Sequence, residues 1–317
     1  MTAGAVGVGA TEKAGDAGLV LVSTEWLAAR LQDPGVRVVD VRGKVLPPGN
    51  KPRYLAKRAD YDAAHVPGAR FVDWTVDIID PADPVPMQVA PPEAFAATMT
   101  ALGVGDGTLV VAYDDYDHIF AGRLAWALRY YGHDAVRVLD GGWSRWIAEG
   151  RPTESAADAP STGAARSPSE PRGQGAFHAR PMHALRRTAD EVERVLGRDD
   201  VVLIDARPSD QYAGNMSAAS RAGHIPGALN VPYARLVDPA TGQFLPSGEL
   251  VRVFLDSGID VAALPREIIV YCNGGVSCTV PLNALRILGR NDAAVYDGSW
   301  NEWGEDPSRP IRRGPTP

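Results

Sequence analysis

Short apolar runs alternate with amphipathic stretches along almost the whole chain, from about residue 19 onward. The runs at 36–41, 109–113, 136–139, 201–204 and 268–271 are rich in Val, Ile and Leu. Polar or Gly/Pro-containing segments bound them, which is the pattern of strands buried on both faces. Between them, 25–31, 95–102, 121–131, 189–196, 250–255 and 279–288 repeat apolar residues at helical spacing. Ser23 or Thr24 can cap the first of these helices, and Pro34-Gly35 stops it. Strands that alternate with helices predict an α/β fold, with a mainly parallel sheet flanked by helices.

The order of elements occurs twice. A strand ends in Asp40-Val41-Arg42, and another in Asp205-Ala206-Arg207. His65-Val66-Pro67-Gly68-Ala69 is matched by His224-Ile225-Pro226-Gly227-Ala228. Asp140-Gly141-Gly142-Trp143 is matched by Asp297-Gly298-Ser299-Trp300, with Trp146 and Trp303 in equivalent places beyond. Such ordered pairs predict an internal duplication. The expected division is a disordered tail at 1–17, one domain at 18–152, a linker at 153–187 and a second domain at 188–317. The linker is dense in Pro, Ser, Ala, Gly and Arg, and its length suits a strap lying across both domains.

The net charge of −7 argues against nucleic-acid or anionic-membrane binding, and no apolar run is long enough to span a bilayer. Two cysteines, Cys272 and Cys278, exclude a disulfide framework and a Cys-rich zinc site and suit a reducing cytoplasm. No metal or cofactor is expected.

The candidate chemistry lies where the run 268–271 ends at Cys272 and Asn273-Gly274-Gly275-Val276-Ser277 leads into a helix. Unpaired backbone N–H groups and a helix dipole favour thiolate there, hence a nucleophile. In the first copy Asp114 holds the place of Cys272, so the scaffold recurs without the reactive sulfur.

Together these motifs resemble the rhodanese superfamily. The tandem form, with an inactive first copy, is similar to two-domain sulfurtransferases acting on thiosulfate or 3-mercaptopyruvate. The resemblance implies that Cys272 takes the outer sulfur of a small anionic donor as a persulfide. A thiophilic acceptor, cyanide or a thiol, then removes it. The cradle for that sulfur is expected to be almost wholly backbone, from N–H groups of residues 273–277. The sequence departs from the family at Asn273, where thiosulfate enzymes often carry a basic residue, and at Gly274, where mercaptopyruvate enzymes often carry Ser. It departs again at Gln211, where an Arg commonly contacts the donor. Arg221 is the candidate replacement, and Arg207 a further substrate contact. Thiosulfate is the slightly favoured donor.

Other landmarks have plainer expected roles. Cys278 is either a packing residue or a partner for oxidised Cys272. Asp205 with Arg207, and Asp40 with Arg42, tie loops together, and His65 and His224 serve turns. The tryptophans are core, and Asp114, Asp115, Asp117 and His118 form a solvated acidic loop. A non-catalytic rhodanese-like binding module is the alternative function. A cysteine phosphatase is disfavoured, because that class needs Arg where Cys278 stands.

Overall fold

The structure, a computed structural model, describes residues 20–47, 49–158, 175–263 and 267–317. The expected tail and residues 159–174 of the expected linker lie outside the described residues.

The first domain runs β1 (Leu21–Val22), α1 (Thr24–Ala28), β2 (Val36–Asp40), β3 (Gly43–Val45), β4 (Tyr54–Ala56), α2 (Arg58–Ala63), β5 (Arg70–Phe71), α3 (Pro92–Ala101), β6 (Leu109–Tyr113), α4 (Ile119–Tyr130), β7 (Val136–Leu139) and α5 (Gly142–Ala148). The second runs β8 (Arg186–Arg187), α6 (Ala189–Arg194), β9 (Val201–Asp205), α7 (Ser209–Ala213), β10 (Leu229–Asn230), α8 (Ser247–Asp256), β11 (Glu267–Tyr271), α9 (Thr279–Ile287), β12 (Ala294–Tyr296) and α10 (Ser299–Trp303). The apolar runs seen in the sequence become the central strands, because only a strand buried on both faces can be apolar throughout.

Each domain has a five-stranded sheet, ordered β1-β7-β6-β2-β5 in the first and β8-β12-β11-β9-β10 in the second. Every pairing within the two sheets is parallel. The duplication therefore extends to topology. A short antiparallel ribbon, β3 with β4, is an addition to the first domain.

One face of each sheet has a core of its own. Leu27, Val66, Tyr113 and Trp146 fill it in the first domain, and Ile225, Tyr271, Trp300 and Trp303 fill it in the second. The remaining apolar cluster runs through α3 and α4 across to α8 and α9 without a break between domains. Helix α4 is buried at every position, which explains why it lacks a polar face. It meets α9 at Gly122, where a Cβ would lie 2.5 Å from Thr279 Oγ1, so only glycine admits this approach.

The described part of the linker lies on the first domain before joining the second. Phe177 packs on Phe95, Met182 N–H donates to Tyr130 O, and Trp126 Nε1–H donates to Leu185 O. Arg186 then enters the second sheet as β8.

Candidate active site

The loop 272–278 leaves the carboxyl end of β11 and closes onto α9, at the crevice where open α/β sheets place their ligands. The candidate nucleophile, Cys272, is 1% exposed. Burial by itself opposes ionisation of its thiol. Against that, the Cys278 thiol, the Ser277 hydroxyl and the backbone N–H groups of Cys278 and Gly274 all hydrogen-bond the sulfur, and the net effect lowers its pKa to about 5. Cys278 shows the reverse: burial and the adjoining Cys272 sulfur raise its thiol well above the ordinary value.

The cradle differs in two ways from a simple ring of backbone donors. Two side chains, Ser277 and Cys278, contribute to it. The Gly275 N–H instead donates to Ser299 Oγ, which also accepts from Cys272 N–H and donates to Tyr296 O. Ser299 thus ties both limbs of the loop to the end of β12. Gly275 is fixed by geometry, with φ of 70° and a Cβ position 2.7 Å from both Arg123 Nη1 and Asp297 Oδ1. Any side chain there would push the cradle off its support.

That support comes from the first domain. Arg123 of α4, fully buried, donates through Nη1 to Gly275 O at 3.1 Å and to Asp297 Oδ1 at 2.6 Å. Its Nη2 donates to Met87 O at 2.7 Å. Asp297 Oδ2 accepts from Val89 N–H and from Arg186 Nε. A charge buried this deeply is tolerable only when paired and hydrogen-bonded, and here the pairing fastens the loop to the neighbouring domain.

The first domain shows the same cradle with a different anion in it. Asp114 accepts from Tyr116 and His118 N–H through Oδ1, and from Phe120 and Ala121 N–H through Oδ2. Its carboxylate is buried, so the expectation of a solvated acidic loop is wrong at this residue: four N–H donors draw the side chain inward. His118 is also buried, stacked on Phe244 and hydrogen-bonded through Nε2 to Gly242 O. Two further straps cross between the domains: residues 88–90 of the first reach Asp297 through Val89 N–H, and residues 243–245 of the second reach Asp140, to which Phe244 N–H and Gln243 Nε2 donate. Met87 and Gly242, which precede these straps, have φ of 71° and 69°. Among the described residues, the positive-φ non-glycines are Met87, Asp117, His118 and Ser299, all at these two loops or their straps.

Arg221 is not beside the sulfur as a free cation. Its guanidinium donates to the carbonyls of Trp303, Gly304, Asp306 and Arg309, where α10 ends. A helix C-terminus leaves carbonyls without partners, and Arg221 satisfies them, so the expected role as a donor contact is corrected to a cap. Gln211 lies at the loop: its Oε1 accepts from Asn273 Nδ2 at 2.9 Å. Arg207 is fully buried and grips Asp205 through Nε and Nη2, with Gly223 O as a further acceptor, while stacking on Trp300. Its Nη1 is buried without a partner. Asp40 and Arg42 repeat the pairing, with Arg42 on Trp143. His224 and His65 stack on Tyr212 and Tyr61 and bond to their carbonyls, as turn residues should.

Tyr233 was not singled out from the sequence. Burial raises its phenol, with added effects from Tyr116 and Asp117 of the first domain and from the charge of Cys272. Two cavities, of about 380 Å³ beside the Asp114 loop and about 620 Å³ beside Asn301, flank the paired loops, and neither is lined by Cys272. No cluster of His, Cys, Asp or Glu among the described residues has metal-ligand geometry. No helix among them is long and apolar enough to cross a membrane.

Two segments, residues 23–149 and 188–306, match the rhodanese-like domain family. The sulfur carrier protein TtuD of Thermus thermophilus is 33% identical over 306 residues, covering 93% of this chain and 97% of the relative. The 3-mercaptopyruvate sulfurtransferase of Escherichia coli K12 is 32% identical over 295 residues, covering 92% and 96%. The crystal structure of SseA from Escherichia coli, a 3-mercaptopyruvate sulfotransferase of rhodanese fold, aligns with a TM-score of 0.74 at 30% identity, over 89% of this chain and 99% of that one.

Proposed function

The chain belongs to the rhodanese-like family in two copies, and from that premise we propose a sulfurtransferase whose Cys272 takes sulfur from thiosulfate or 3-mercaptopyruvate and gives it to cyanide or a thiol. The observation that carries this reading is the condition of Cys272, a buried thiol lowered to about 5 by donors converging on its sulfur. At neutral pH it is a thiolate and ready to attack.

The thiolate attacks the transferable sulfur of the donor; its bond to the rest of the donor breaks, and the remainder leaves with the electron pair as sulfite or, taking up the donor's thiol proton, as pyruvate. The negative charge then rests on the outer sulfur of a Cys272 persulfide. Preorganised donors at the loop stabilise that charge without having to reorient. The acceptor attacks the same outer sulfur, and the thiolate returns as leaving group. Its lowered pKa secures the thiolate form for the first step and makes it a better leaving group in the second. Asn273 to Ser277 form the cradle in this reading, with Cys278 completing it.

The groups around the sulfur bear on the choice of donor. Tyr233, Asn273, Gln211 and Ser277 are neutral, and the guanidinium of Arg207 is shared with Asp205. Such a mouth suits a singly charged carboxylate donor better than a dianion. Two unbridged cysteines suit a reducing compartment, which we take to be the cytoplasm.

The test is kcat/KM for both donors side by side, with cyanide as acceptor. The expected result is turnover with both and a preference for 3-mercaptopyruvate of about tenfold, the equivalent of one modest electrostatic contact. A tenfold preference for thiosulfate contradicts the charge argument. No turnover with either donor removes the sulfurtransferase reading.

A further inference from the structure

The chain has two cysteines, and sulfur transfer as described uses the sulfur of only one for chemistry. Cys278 is fully buried and caps the N-terminus of α9. Both its backbone N–H and its thiol are directed at Cys272 Sγ. The first domain gives the scale of the approach: Phe120 N–H, at the place of Cys278 N–H, lies 2.8 Å from the carboxylate that replaces the sulfur. A phenylalanine satisfies packing at that place, so packing alone does not require a thiol.

We propose that Cys278 is a resolving thiol: once Cys272 carries the outer sulfur, Cys278 attacks Cys272 Sγ, expels that sulfur as sulfide and leaves a Cys272–Cys278 disulfide. This rests on the sulfurtransferase reading and adds to it a further activity, sulfide release with no external acceptor in the first turnover.

The step balances within the site. The bond between Cys272 Sγ and the outer sulfur breaks, and its electron pair leaves on the outer sulfur. The Cys278 proton moves to that sulfur, which departs as HS⁻, and an Sγ–Sγ bond forms. The sulfane sulfur gains two electrons and the two cysteines supply them, so the persulfide is its own oxidant. An external thiol or dithiol resets the site by thiol–disulfide exchange.

The electrostatics favour this order. Before loading, a second anion beside the Cys272 thiolate is unfavourable, so Cys278 keeps its proton. After loading, the charge of Cys272 sits one atom further out, and the outer sulfur is a base adjacent to the Cys278 thiol. The sulfurs, already hydrogen-bonded, have to close to about 2.05 Å to reach disulfide geometry. No other cysteine exists in the chain to compete.

The test uses reduced, desalted protein mixed with a small excess of thiosulfate, with neither thiol nor cyanide present. Wild type is expected to release about one sulfide per chain and to fall about 2 Da below its reduced mass. Cys278→Ala and Cys278→Ser are each expected to gain about 32 Da and release no sulfide. Wild type held at the higher mass without sulfide overturns the proposal, as does undiminished release by both variants. If no form takes up sulfur and none turns over with cyanide, the sulfurtransferase reading falls as well. The wild-type mass change stands by itself should either variant fold poorly.

Discussion

Cys272 and Asp114 occupy one position in two copies of a scaffold, and each is an anion site: four N–H donors hold the carboxylate, while two side chains and two N–H groups hold the sulfur. The carboxylate is inert toward sulfur donors, whereas the thiolate is not, and this single difference assigns the chemistry to the second copy. Because the Cys272 pKa is depressed to about 5, the reactive thiolate is present above that value and lost as pH falls through it. Alkylation of native protein by iodoacetamide is therefore expected to be nearly flat from about pH 6.5 to 8 and to fall about tenfold per unit well below the midpoint. The unfolded chain, by contrast, is expected to titrate near the ordinary thiol value of about 8.5. A midpoint near that value in the folded protein contradicts the proposed activation. At this scale the sequence was a mixed guide. Cys272 stood out by its strand-loop-helix setting. Arg221 misled, because the carbonyls it caps come from residues some eighty positions later, and nothing local to it shows them.

The loop keeps its shape through elements that lie far apart in the chain. Ser299 at the start of α10 ties its limbs, and Arg123 of α4 holds its back through Gly275 O and Asp297. Replacing Arg123 with Met leaves Asp297 buried with Arg186 as its remaining cation, which should cost about 3–5 kcal/mol, the range for breaking a buried ion pair from one side. Thermal or urea unfolding measures this, and kcat should drop in the folded fraction because the cradle is no longer fixed. An unchanged midpoint with full activity contradicts the anchoring role. The central strands were legible in the sequence, since 109–113 is apolar throughout and 136–139 is apolar but for Arg137, and both are bounded by turns; the short strands β3, β4, β5, β8 and β10 were not. The anchor was not. Its one signal was an arginine within a helix that has no polar face, and such a residue names no partner until the partner's fold is known.

The whole molecule is two equivalent α/β units related by exchanged contacts: Val89 reaches Asp297 and Phe244 reaches Asp140. A continuous apolar cluster joins them, and Arg123 of the first copy holds the loop of the second, so the first copy is a support for that loop rather than an appendage. The duplication followed from paired motifs, because those motifs mark strand ends and turns that the sheet requires, whereas the strand order came from the structure. The exchange of straps did not: Asp80-Pro81-Ala82 with Gln88 recurs as Asp238-Pro239-Ala240 with Gln243, but at unequal spacing, and nothing local to either segment names the carboxylate it reaches in the other domain. The division of labour has a kinetic signature. A persulfide on Cys272 separates donor and acceptor into two half-reactions, so they never need to be bound together. Initial rates of thiocyanate formation at crossed concentrations of donor and cyanide should give parallel double-reciprocal lines for wild type, and Cys272→Ser should lose at least about a thousandfold in rate. Intersecting lines, or turnover that survives in Cys272→Ser, contradict sulfur transfer through this residue.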